Sequence, residues 1–176
     1  MKIATIKYIV FFVLLLGLSR QSHATITKKH DIVTKTTTIE SEQEFIIDNL
    51  AGEVSFRKHI INRGDLFITE YYLFFKMKTI KNWWFFTRDG VVINIDDNIY
   101  QLLPEKTNSW MPSTQTKCGY ALHTSTTIPI SNKLISFLQK ANRVYFKIYF
   151  IDQGDKNWVL SYGVLYEWRA VINTNE

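Results

Sequence analysis

Apolar and polar positions alternate along much of the chain, the pattern of strands that turn one face to a core. Over residues 53–61, Val54, Phe56 and Ile60 share one side, and Ser55, Arg57 and His59 share the other. Residues 143–151 repeat this with Val144, Phe146, Ile148 and Phe150. Residues 66–77 are apolar on both sides: Phe67, Tyr71, Leu73, Phe75 and Met77 fall on one, Leu66, Ile68, Tyr72 and Phe74 on the other, broken by Glu70 and Lys76. Such a strand belongs in the middle of a sheet, covered on both faces. The Thr-rich residues 31–39 predict an edge strand, with an acidic connector over 40–44. Residues 62–65, Asn-Arg-Gly-Asp, are a turn by composition. Residues 119–130 and 158–162 predict two more strands, the second preceded by a turn over 152–157.

The stretch from residue 82 to 103 organises the rest. Its apolar runs predict strands at 83–86, 91–95 and 99–103, with reversals at Asp89-Gly90 and at Asp96-Asp97-Asn98. Asp-Gly between apolar runs is a hairpin signal because Gly accepts the positive φ of a primed turn. Residues 104–117 hold two of the three prolines and read as a long loop, with Trp110 and Met111 its apolar content.

Two segments switch to helical spacing. Ser131 is an N-cap, and Leu134, Ile135, Leu138 and Ala141 then predict an amphipathic helix over 132–142. Leu165, Trp168 and Ile172 share one side of a short C-terminal helix over 163–172. The fold expected is mainly β, an α+β arrangement: an antiparallel β-sandwich or strongly curved sheet with these two helices, and a small closed barrel as the alternative.

Composition changes this picture at the N-terminus. Lys2 and Lys7 precede an apolar run over 8–18, and Ser22-His23-Ala24 ends in small residues at the positions a signal peptidase reads. The apolar run is shorter than the ~20 residues a membrane span needs. Residues 1–24 are therefore expected to be a cleaved signal peptide, with residues 25–176 a single exported domain in the periplasm or outside the cell and no membrane span after cleavage. No Cys follows the apolar run to take a lipid, and no Asn-x-Ser/Thr sequon occurs, which favours a bacterial envelope protein. Of 21 basic residues three lie in the signal segment, leaving 18 against 16 acidic ones. That balance gives no electrostatic case for nucleic acid.

Candidate chemistry is sparse. His30, His59, His123 and the single Cys118 lack the close spacing of a zinc motif, so no metal is expected. Cys118 and His123 are five apart, on opposite faces of a continuous strand, which does not suit a thiol nucleophile and its base; a buried, inert Cys118 is expected. The seven glycines are scattered, with no phosphate-cradling loop, and no cofactor is expected. Acidic turns at Asp96-Asp97 and Asp152–Asp155 lack calcium-loop spacing.

The unusual feature is Trp83-Trp84-Phe85-Phe86. Alternation puts Trp83 and Phe85 on one face and Trp84 and Phe86 on the other. Both pairs can be core; alternatively one can form a surface groove with Trp110, rimmed by Lys81 or Arg88. The function expected is a non-catalytic envelope domain that binds a protein partner or an apolar or glycan ligand through Trp83, Trp84, Trp110, Arg88 and Lys81. The alternatives are a hydrolytic enzyme assembled from His59, His123, Asp96 and Asp97, and a structural assembly subunit with a sheet edge open to strand addition.

Overall fold

The computed structural model of the protein describes residues 25–47, 50–80, 82–111, 115–116 and 119–175. Residues 1–24, where a signal peptide is expected, lie outside the described residues, as do Lys81 and Cys118.

Among the described residues, twelve strands and two helices follow one another as β1 (Thr25–Asp31), β2 (Thr36–Ile47), β3 (Leu50–Arg63), β4 (Leu66–Thr79), β5 (Phe86–Ile95), β6 (Asn98–Leu102), β7 (Lys106–Trp110), β8 (Gln115–Thr116), β9 (Gly119–Tyr120), β10 (Leu122–Ile130), α1 (Asn132–Leu138), β11 (Val144–Phe150), β12 (Gly154–Val159) and α2 (Tyr162–Asn173). All pairing is antiparallel. One sheet has the order β1-β2-β3-β4-β10-β7, a second β12-β11-β5-β6, and β8 pairs with β9 alone. The mainly β, two-sheet architecture with two short helices is the one the alternation predicts.

The core lies between the two sheets. Phe56, Leu73 and Ile128 stand in one row across the first sheet, and Ile93 and Phe146 pair on the inner face of the second. Phe75 meets Phe146 edge-on at 5.7 Å, and Phe45 meets Trp158 at 5.1 Å, so the sheets touch through aromatic rings. Helix α2 adds Trp168, fully buried, stacked on Phe56 at 5.1 Å and edge-on to Phe146 at 6.0 Å. Ser131 and Ser161 cap the helices, each side chain accepting the amide three residues on. Lys58 is buried on the core face of β3, where its ammonium donates 2.8 Å hydrogen bonds to the carbonyls of Ile172 and Thr174 at the end of α2. Burial pushes its pKa down, while the carbonyls at a helix C-terminus favour the cation.

Several local expectations are corrected. The segment 40–44 is no connector. Ile39, Ser41 and Phe45 face the core while Glu42 and Glu44 are exposed, so the acidic run is the outer face of β2. The strand expected at 31–39 is instead the end of β1, a turn and the start of β2. Asp31 accepts the amides of Val33 (2.8 Å) and Thr34 (3.2 Å), the local hydrogen bonding that makes Asp a turn former.

Residues 83–85 are not a strand, and Asp89-Gly90 is not a reversal. Phe86 pairs with Phe150 and Val91 with Ile148, so β5 runs on in one direction while 87–90 bulge from the ladder opposite Tyr149. Gly90 has φ 76°, a conformation that serves a bulge as well as a turn. The second reversal stands where expected, with Asp96 and Asp97 at φ 45° and 69° between β5 and β6.

The loop over 104–117 contains β7, paired along Lys106–Trp110 with β10. The last strand begins at Gly154, earlier than the turn composition suggested. Helix α1 stops at Leu138 rather than 142. The Asp96 carboxylate accepts the amides of Asn142 and Arg143 (3.0 and 2.8 Å), and Arg169 donates to the carbonyls of Leu138 and Ala141, which turns the chain into β11. Finally, β4 is central, but among the described residues no second layer lies over its outer face. Tyr72 and Phe74 are half-exposed there, and the Arg57 guanidinium lies 4.3 Å over the Phe74 ring, a side chain taking the place of a layer.

Candidate functional site

The aromatic run connects β4 to β5 and crosses from one sheet to the other. Its backbone is held at three points. Thr79 donates to the Asn82 carbonyl (2.6 Å), Thr124 to the Trp84 carbonyl (2.7 Å), and the Ile151 amide to the Phe85 carbonyl (2.9 Å). This extended link keeps the alternation expected of a strand. Trp83 and Phe85 stack on each other with ring centroids 5.2 Å apart and planes within 9°. Trp84 and Phe86 turn the other way, both onto Phe150 at 5.1 and 5.0 Å.

Their environments differ. Phe86 is buried in the core, Trp84 and Trp83 are half-buried, and Phe85 is exposed. The Lys156 ammonium sits 5.4 Å over the Trp84 ring. Arg88 is exposed on the β5 bulge, three residues past Phe85. Lys81 lies outside the described residues. Exposed Ile80 and Ile151 flank the run.

Trp110 stands elsewhere. It ends the edge strand β7 and stacks on His123 of β10 at 5.1 Å and 13°. His123 and Thr124 are consecutive in β10 and point to opposite sides of the sheet. Thr124 carries the Trp84 carbonyl on the inner side, so Trp110 lies on the outer side. The fold therefore brings Trp83 together with Phe85, and Trp84 with Phe150, but does not join Trp110 to them in one groove.

The four residues weighed for catalysis are dispersed. His59 lies opposite Glu70 on the outer face of the first sheet, with its ring 5.0 Å from Tyr72. His123 is opposite Lys78, eight residues further along β4 than Glu70, or about 26 Å at strand rise. Asp96 and Asp97 close a hairpin of the other sheet, where Asp96 is occupied with backbone amides. Among the described residues neither histidine hydrogen-bonds a carboxylate, and no three His, Cys, Asp or Glu side chains gather where a metal could sit. Glu70 instead accepts the Tyr72 hydroxyl at 2.7 Å; burial and that carboxylate push Tyr72 up to about 12.

Among the described residues, open grooves lie on outer faces of both sheets. One of about 250 Å³ is lined by Val92, Asn94, Ile99, Tyr145, Lys147 and Asn157, with the Asn94 amide oxygen buried and unpartnered. The other, about 190 Å³, lies between Glu44, Glu53, Lys76 and Lys78, where Lys76 is paired with Glu53 at 2.8 Å.

Both outer-face histidines resist protonation. Burial is the first cause in each; Arg57 adds to it at His59, and Lys76 and Lys78 at His123. A folded pKa below the unfolded value of 6.5 leaves stability intact above that pH. Stability is then lost as the pH falls through 6.5, because the unfolded chain takes up the protons first. Melting temperatures measured between about pH 7.5 and 5 should fall on acidification, and His59→Gln with His123→Gln should flatten that slope. An unchanged slope in the double variant would place the acid sensitivity in other groups.

Taken together, the fold and these surfaces define a mainly β protein of two facing antiparallel sheets, with a stacked aromatic pair on a hydrogen-bonded backbone at one end. No protein-family model matches the chain, and no match to it was found among curated proteins or solved structures.

Proposed function

We propose that this is an exported, non-catalytic binding domain of the cell envelope, which takes a partner or an apolar or glycan ligand on the aromatic surface around Trp83. The observation that carries the reading is the Trp83–Phe85 stack: two nearly parallel rings, partly open to solvent, on a backbone tied to β4, to β10 and to Ile151 just after β11. Rings already fixed lose little rotamer freedom on binding, so more of the contact energy appears as affinity. A flat aromatic face suits a ligand with its own flat apolar face, such as a sugar ring or a planar side chain. Trp84 supports the link from the core side, and Arg88 supplies a cation at the rim. Trp110 on His123 is a separate aromatic element of the outer sheet face.

Titration with soluble oligosaccharides and aromatic peptides, followed by tryptophan fluorescence and equilibrium dialysis, tests the proposal. Trp83→Ala should weaken binding at least tenfold, about 1.4 kcal/mol, while the melting temperature stays nearly unchanged. Equal affinity in Trp83→Ala would remove the surface from consideration. Loss of folding in that variant would make the stack a structural element.

A further inference from the structure

We propose that the end of the protein opposite the aromatic run enters the interface of a lipid bilayer carrying anionic headgroups. Two hairpins lie side by side there. The β1–β2 turn presents Ile32 and Val33, 81% and 91% exposed, and the β3–β4 turn is followed by Leu66 and Phe67, 60% and 54% exposed. The Asn62 amide donates to the Lys35 carbonyl at 2.9 Å, and Thr36, Ile61 and Ile68 stand in one row across β2, β3 and β4, so the two tips form one surface.

Folding does not account for these side chains. Turns favour Gly, Asn, Asp and Ser, whose hydrogen bonds or φ values make the bend. Here Asp31, Asn62 and Gly64 already do that work, through the Val33 and Gly64 amides and a φ of 75°. Ile32 and Val33 add nothing to the bend and are left in water. Along β3 and β4 the buried core positions run out at Ile60 and Leu73, while both strands continue to the turn at 63–66. The apolar group thus stands on a projection and not in a cleft. A projection finds no complement in a small ligand, whereas a bilayer deforms around it.

The charge behind the tips has the sign such a surface requires. Lys28, Lys29, Lys35 and Arg63 are all exposed, within a few residues of the apolar group. Lys29 is two residues before the end of β1 at Asp31, about 7 Å back along the strand. The acids nearby are Asp31, Asp65 and Glu70; Asp31 is turned into its own turn by two amide bonds, and Glu70 accepts the Tyr72 hydroxyl. His30, the remaining titratable group there, has its Nδ1 3.0 Å from the Thr37 hydroxyl. Apolar side chains in front of a cationic collar provide the two signals that a stable peripheral attachment needs, with the long Lys and Arg side chains reaching back to headgroups. This inference does not depend on the aromatic surface, which lies at the far end of β4.

The test uses the protein without residues 1–24, whose apolar run would itself enter a vesicle, in a Cys118→Ser background, with an environment-sensitive fluorophore on Val33→Cys, on Phe67→Cys, or on Ser136→Cys of α1. Each is mixed with phosphatidylglycerol-containing vesicles that carry a quencher on the acyl chains. Emission at positions 33 and 67 should rise and be quenched, and emission at 136 should not change. Replacing Lys28, Lys29 and Lys35 by Gln should weaken the response by roughly fivefold per residue. No change at 33 and 67, or the same response with purely zwitterionic vesicles, would overturn the proposal. So would a change that appears without lipid and grows with protein concentration, which would mean that a second copy covers the tips.

Discussion

Phe146→Ala should lower the free energy of unfolding by about 3–5 kcal/mol, one of the largest losses a single side chain of this protein can produce. Phe146 is 1% exposed and touches rings from three directions: Phe75 of the facing sheet, Trp158 of the neighbouring strand, and Trp168 of α2. Removing it leaves a cavity whose walls belong to two sheets and a helix. Each wall is tied by its own hydrogen bonds, so the site collapses poorly and keeps most of the void. Phe137 on α1 makes one stacking contact, with Tyr100, and is exposed. Phe137→Ala should therefore cost about 1 kcal/mol or less. Urea denaturation of the two variants compares them directly. A loss at Phe146 no greater than that at Phe137 would mean that the sheets are held together by other contacts.

Gly90→Ala is the second. Gly64, Gly90 and Gly154 all have φ between 70° and 76°, where any L side chain is strained by about 1–2 kcal/mol. They differ in the space around them. A Cβ at Gly64 or Gly154 meets nothing within 4 Å, whereas at Gly90 it runs into the backbone carbonyl of Leu102 and lies 2.9 Å from the Pro104 ring. Backbone of a paired strand cannot swing aside as a flexible side chain can. Gly90→Ala should therefore exceed the other two clearly, with a total of about 3 kcal/mol or more. Thermal or urea unfolding of the three alanine variants ranks them. Equal losses would show that the bulge relaxes and that φ alone sets the penalty.

Gly90 also shows where reading the sequence ran out. Asp-Gly between two apolar runs correctly signals a residue at positive φ. Whether that residue reverses the chain or bulges it depends on the partner strand, and β11 pairs with β5 on both sides of the bulge. Local chemistry contains no record of that partner. The acidic segment 40–44 failed for a related reason. Three glutamates within five residues suggest a solvated loop until the intervening Ser41 and Gln43 are seen to share a row with Phe56 and Val54. Lys58 was invisible as a core residue because its partners, the carbonyls of Ile172 and Thr174, are more than a hundred residues away.

The candidate surface divides in the same way. That Trp83 pairs with Phe85, and Trp84 with Phe86, follows from the two-residue period of an extended chain, and holds although residues 83–85 are not in a sheet. Which pair meets solvent, and that Trp110 lies on the other side of β10, came from the crossing between sheets. By itself the sequence determined what short-range physics controls: strands from alternation, two helices with Ser131 capping the first, the turn at Asp96-Asp97, and the inward residues of β3 and β11. Only the tertiary structure decided the sheet order, the bulge at Gly90, the place of Trp168 between the sheets, and the joining of the two hairpin tips. Each of those rests on contacts between residues far apart in the chain, whose energy depends on where the partner strand or helix packs and not on the residues at either end alone.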